Sequence, residues 1–324
     1  MITPKENLMR TIHWEKAEYV PLSWKAIRYV GGVAAQAVGP KADGFDIWGC
    51  KWRQNEIGAM NEPGWAMFED ISDWKDYVKA PNLDEIDFKA LAEKEWSLIP
   101  PVDREQHAVS HISDVGIFGR VVYMIGYENT LIGMVSDPEA MMELMDLCTD
   151  YAIKYINKFI NAYNPDIFTY GDDVATVRGL FMSPETYRTI IKPFHKRIVE
   201  AITARGVIPC QHCCGKTEEL IDDYIEVGCK MWQSAEKSND LHGILAKRQI
   251  TVDGGWDFQG PPGYVDDTTD DDIIRNEVRR CLTEYKKPGY ILWPTILSPK
   301  GNIRFYGERR MDIVIEEWEK LRWF

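Results

Sequence analysis

A chain of 324 residues, 45% of them hydrophobic, carries enough apolar material for one large core. Single α/β barrels reach this size, so one domain spanning 1–324 suffices. A formal net charge of −13 argues against nucleic acid or an anionic membrane as partners, and no run approaches the ~20 apolar residues of a membrane span. The seven cysteines, beside a charged stretch Met1–Trp14 with no apolar leader, read as reduced thiols of a cytoplasmic protein.

The first hundred residues are irregular. A short helix is predicted over 4–13, an apolar strand over 19–24 and, after Gly31-Gly32, a short helix over 33–37. An aromatic loop follows at 44–52. Proline, tryptophan and acid clusters through Pro101 mark an elaborated entry segment rather than a separate domain.

Strand and helix alternate from residue 110. A strand is predicted within 115–124, although Gly116 and Gly119 weaken its start. Asp137 as N-cap and Pro138 in the first turn open a long helix to 161, with Met141, Leu144, Met145, Cys148 and Tyr155 at helical spacing. A strand at 167–170 ends in Gly171-Asp172-Asp173, and Ser183-Pro184 starts a helix to 204. Four more strand–helix units are predicted, with strands at 207–213, 230–233, 250–253 and 290–293. Their helices lie at 218–226, 240–246, 271–285 and 302–321. Repeated units of this kind make a parallel sheet. With no Gly-rich dinucleotide fingerprint after any strand, the pattern favours an α/β fold of the (β/α)8 TIM-barrel type.

In such a barrel the working residues stand at the C-terminal ends of the strands. Asp172 and Asp173 end one strand, His212 and Cys214 the next, then Gln233 and Glu236, then Asp253 and Asp257, and last Trp293 and Ser298. Acids after strands also cap helices, which is the bland account of these acids. The sharpest cluster is Cys210-Gln211-His212-Cys213-Cys214. On an extended strand His212 and Cys214 share one face, roughly 6.6 Å apart, while Cys213 faces the other way and Cys210 lies about 13 Å from Cys214. Imidazole and thiolate at that spacing can grip one metal ion, and Glu236 past the next strand can add a carboxylate oxygen.

Over most of its length, and most strongly over 165–304, the chain resembles the uroporphyrinogen decarboxylase superfamily. The resemblance rests on Tyr170-Gly171-Asp172-Asp173, Leu180-Phe181-Met182-Ser183-Pro184, Lys192-Pro193-Phe194-His195, His212-Cys213-Cys214-Gly215 and Ser298-Pro299-Lys300-Gly301-Asn302. It implies a barrel and, in the methyltransferase branch, zinc held by an H-x-C pair, a later glutamate and a cysteine near the last strand. His212, Cys214 and Glu236 match the first three. Pro294–Asn302 holds no cysteine, which leaves three protein ligands, Asp253 as a substitute, or a site without zinc. The decarboxylase signature R-Q-A-G-R-Y is largely missing at Pro21–Tyr29, and the acidic charge does not suit a tetrapyrrole with eight carboxylate arms.

The resemblance thus implies a zinc-dependent methyltransferase that moves a methyl group between a small substrate, such as a methoxylated aromatic, and a corrinoid protein partner. Asp172, Asp173 and Glu236 are the catalytic candidates. Trp48, Arg178, Trp232, Trp256 and Trp293 are the substrate-binding candidates. The alternatives are a decarboxylase acting on a tetrapyrrole or related acid, and a non-catalytic barrel that binds a corrinoid or small ligand.

Overall fold

Seven short, largely buried strands form one parallel sheet in the computed structural model, which describes residues 2–41, 44–54, 59–113, 116–303 and 308–324. They are β1 (Ile27–Tyr29), β2 (Ala108–Ser113), β3 (Ile167–Gly171), β4 (Ile208–His212), β5 (Met231–Ala235), β6 (Thr251–Gly254) and β7 (Tyr290–Leu292), and their spatial order is their chain order. The sheet curls until its last strand meets the segment that leads into the first. The Leu292 N–H donates to the Pro21 carbonyl at 2.9 Å, and Leu22 forms a parallel bridge with Leu292. The result is the TIM-barrel-like fold the alternation predicts. The described residues supply seven strands, and the return to Pro21–Leu22 joins the seventh to the chain entering the first.

Helix α1 (Pro4–Ile12) packs Leu8 and Ile12 against strand residues Ile27, Ala108, Ile167, Met231 and Ile291, and the other helices cover the outside: α2 (Gly32–Val38), α3 (Phe88–Leu98), α4 (Ile117–Ser136), α5 (Pro138–Tyr163), α6 (Lys192–Thr203), α7 (Ile221–Val227), α8 (Leu241–Lys247), α9 (Asp271–Glu284) and α10 (Arg309–Leu321). The cap logic holds at α5, where the Asp137 side chain accepts from the Ala140 N–H and Pro138 occupies the first turn. Its buried face runs through Leu144, Cys148, Tyr155 and Phe159, the spacing of one helical stripe. Among the described residues no helix is long and apolar enough to cross a membrane. All seven cysteines are free thiols.

Three local expectations change. The strand predicted at 115–124 is instead the start of α4, and the strand precedes it at Ala108–Ser113; Val115 lies outside the described residues. The apolar positions Ile117, Phe118, Val121, Val122 and Ile125 are buried on helical spacing. Gly116 marks a close approach, since a Cβ there would lie 2.2 Å from the Gly171 carbonyl oxygen. The apolar run at 19–24 makes only isolated bridges at Tyr19 and Leu22 before a helical turn at Ser23–Ala26. Toward the end, Leu297–Ser298 and Gly301–Asn302 pair as a hairpin. Residues 304–307 of the predicted last helix lie outside the described residues, and α10 is described from Arg309.

Register places the strand ends level. Gly171 pairs with His212, His212 with Gln233, and Gln233 with Asp253. The side chains that follow these positions therefore gather at one mouth.

Candidate metal centre and adjoining cleft

His212 closes β4 and Cys214 stands on the loop beyond it. Their Nε2 and Sγ atoms are 3.5 Å apart, and the Asp173 carboxylate completes a group whose ligand atoms all lie within 4.8 Å of one another. Asp173 is held there because its Oδ1 accepts the Cys214 backbone N–H at 2.8 Å. Cys213 faces away, fully buried, with its sulfur accepting from the Val174 N–H. Cys210 is also fully buried. Burial alone would push the His212 imidazole down. The Cys214 sulfur, Asp173 and the Gln233 side chain outweigh it and raise the pKa to about 9.

A polar chain behind His212 fixes which nitrogen faces the sulfur. Gln233 Nε2 lies 3.0 Å from Asp253 Oδ2 and 3.2 Å from the Tyr29 hydroxyl. With its amide nitrogen toward Asp253 and the Tyr29 hydroxyl, Gln233 turns Oε1 to His212. That oxygen is 3.1 Å from His212 Nδ1, which must then carry the proton. In the neutral ring the Nε2 lone pair is left facing Cys214, the arrangement a metal-binding histidine requires.

The next strand departs from regularity at the same level. The β5–β6 register shifts between Asp253 and Gly254, and Ser234 is the extra residue, with φ +66°. Such a left-handed backbone costs a non-glycine residue about 1–2 kcal/mol. The bulge fits because residue 254 is glycine: a Cβ there would sit 2.5 Å from the Ala235 carbonyl oxygen. It brings Ser234 Oγ to 3.1 Å from Cys214 Sγ.

One cavity opens beside this group, and a second adjoins the first through Ile112 and Ser113 at the end of β2. The nearer, of 250 Å³, is lined by His212, Asp172, Asp173, Tyr123 and Tyr127. The farther, of 260 Å³, is walled by Trp48, Trp52, Tyr151 and Tyr155. Its charged groups are paired: Arg120 binds Asp46 at 2.8 Å and lies over the Trp48 and Tyr123 rings. Asp46 organises the loop around it, accepting the Trp48 and Cys50 backbone N–H groups at 2.9 Å each and the Trp52 indole N–H at 3.1 Å.

The other candidates divide. Trp48 lines the farther cavity, and Trp293 sets its ring edge-on to His212, 6.1 Å between centroids. Trp232 is fully buried, its indole N–H on the Cys213 carbonyl, so it packs the core instead. Trp256 is likewise buried, donating to the Pro262 carbonyl, although one edge meets a shallow pocket beside Glu236. Arg178 stands exposed on a hairpin turn away from both cavities. Glu236 does not join the ligand group. Its carboxylate accepts the Gly215 N–H at 2.9 Å, and burial raises its pKa. Asp172 is committed to structure, accepting the Ile117, Phe118 and Gly119 N–H groups of α4 and bonding His195 Nε2 at 2.8 Å. The sequence reading missed Asp46, Arg120, Tyr151, Tyr155 and Ser234. A lone arginine within the apolar run 117–125 is the signal that could have flagged Arg120.

A family model described as Uroporphyrinogen decarboxylase (URO-D) matches residues 114–295. Among solved structures, a methyltransferase from Methanosarcina mazei superposes with a TM-score of 0.64, covering 99% of this chain and 99% of that chain at 12% sequence identity. That likeness speaks for the fold. No curated protein matches the sequence.

Proposed function

The chain belongs to the uroporphyrinogen decarboxylase family, and from that premise we propose that it is a zinc-dependent methyltransferase. It moves a methyl group from a small methoxylated aromatic to a corrinoid carried by a partner protein. The observation that carries this reading is the 3.5 Å between His212 Nε2 and Cys214 Sγ. Zinc–nitrogen and zinc–sulfur bonds of about 2.05 and 2.3 Å at a tetrahedral angle put the two donors about 3.5 Å apart. An N, S, O donor set is also one that zinc favours. His212 and Cys214 would hold the ion, with Asp173 rather than Glu236 as the third donor, leaving a position for substrate.

When bound, zinc supplies a Lewis acid that polarises the oxygen bearing the methyl group. The chain's own residues do the rest. Gln233 and Asp253 keep the His212 ring in the metal-binding tautomer. Trp48, Trp52, Tyr151 and Tyr155 offer flat apolar walls to an aromatic ring, and the Arg120–Asp46 pair leaves their cavity without net charge. The methyltransferase fold likeness agrees with this reading. A polycarboxylate tetrapyrrole fits less well, because the two cavities present three carboxylates, Asp46, Asp172 and Asp173, and Arg120 is already paired with Asp46.

The test is metal analysis of the purified protein, combined with a methylcobalamin assay on methoxyphenols and cob(I)alamin. About one zinc per chain is expected, with both metal and turnover lost in His212→Ala. Metal-free protein, or turnover unchanged in His212→Ala, would overturn the proposal.

A further inference from the structure

Ser234 belongs to no motif that the family resemblance rests on, yet its backbone is held in the left-handed region at φ +66°. On a regular strand, consecutive residues face opposite ways. Here Gln233 and Ser234 both reach the same centre, the first at His212 and the second at Cys214. The bulge makes this possible by re-aiming one side chain, the usual effect of an extra residue in a strand. Turning the strand alone would not need a hydroxyl, since glycine adopts that backbone without strain.

We infer that Ser234 is a positioning residue whose hydroxyl donates a hydrogen bond to the Cys214 sulfur when that sulfur binds a metal. The inference rests on the zinc reading of the site. A metal-bound thiolate has no proton, so across the 3.1 Å contact only the serine can donate. The bond draws electron density from the sulfur and away from the ion. Sulfur then neutralises the metal less, and the metal polarises the substrate oxygen more strongly. Outer partners of this kind tune a metal through its ligands.

The test uses the full chain loaded with cobalt(II), whose sulfur-to-metal charge-transfer band reports electron density on the thiolate. Ser234→Gly keeps the backbone at ease and Ser234→Ala keeps its strain; both remove the hydroxyl. In both variants the band should move to longer wavelength, and the metal should resist a chelator roughly fivefold better. With zinc, kcat for methyl transfer should fall while KM holds. A wild-type band that stays put in both variants, or shifts in Ser234→Ala alone, overturns the role of the hydroxyl. A wild type with no thiolate–cobalt band overturns the metal reading itself, and this inference with it.

Discussion

His111 lies within β2, on the wall of the aromatic cavity, buried between hydrogen bonds and a stacked ring. Its Nδ1 is 2.8 Å from the Val30 carbonyl, and its ring lies 3.8 Å from that of Phe159, centroid to centroid. Burial pushes its pKa down to about 4, so it stays neutral where a free histidine gains a proton. Below the unfolded value of about 6.5 the unfolded chain takes up that proton and the folded chain does not. Stability is therefore lost as pH falls from about 6.5 to 4, at up to about 1.4 kcal/mol per unit and roughly 3 kcal/mol in all. Urea denaturation at pH 7 and pH 5 should show the loss. His111→Phe keeps the stacking and removes the titration, so it should start less stable at pH 7 and fall more gently. An equally steep fall in the variant would refute this assignment.

At the level of elements, Asp172 ties the end of β3 to the start of α4. With its carboxylate removed, three helix N–H groups and His195 lose a buried partner. Asp172→Ala should cost roughly 3 kcal/mol, from cap loss and unsatisfied donors together. Asp172→Asn, which keeps one acceptor oxygen, should cost about half as much. Thermal denaturation of the two variants decides this, and equal losses would mean that the carboxylate caps nothing. The same junction explains what was legible in the sequence. Asp137-Pro138 and Ser183-Pro184 announce helices because capping chemistry is local. The α4 start carries no such announcement. Its N–H groups are satisfied by a residue more than fifty positions away, and its glycine answers a clash with β3. His212 and Cys214 were readable because two residues this close at a strand end reach the same mouth, although Cys214 itself stands on the loop beyond β4. Ser234 was not, because a bulge breaks strand geometry, and Arg120 and Asp46 meet only through the fold.

Across the whole molecule, the strand ends are brought level by a ring that closes through Pro21, Leu22 and Leu292, with α10 clamped on by the Trp318 indole donating to the Val20 carbonyl at 2.8 Å. Chain order alone leaves open which neighbour of β4 completes the candidate metal centre, since Asp173 follows β3 on one side and Glu236 follows β5 on the other. The choice has a global readout, because an ion that binds only the folded chain stabilises all of it, by about 2.7 kcal/mol at a hundredfold excess over Kd. Zinc should therefore raise the melting temperature by a few degrees, and a chelator should reverse the rise. Asp173→Ala removes one donor and should weaken binding at least tenfold, cutting the stabilisation at fixed zinc by about 1.4 kcal/mol. Glu236→Gln keeps an acceptor for the Gly215 N–H and should leave the zinc-dependent rise intact. The reverse pattern, with the rise lost in Glu236→Gln and kept in Asp173→Ala, would move the third ligand to β5 and require the loop after Cys214 to turn toward it.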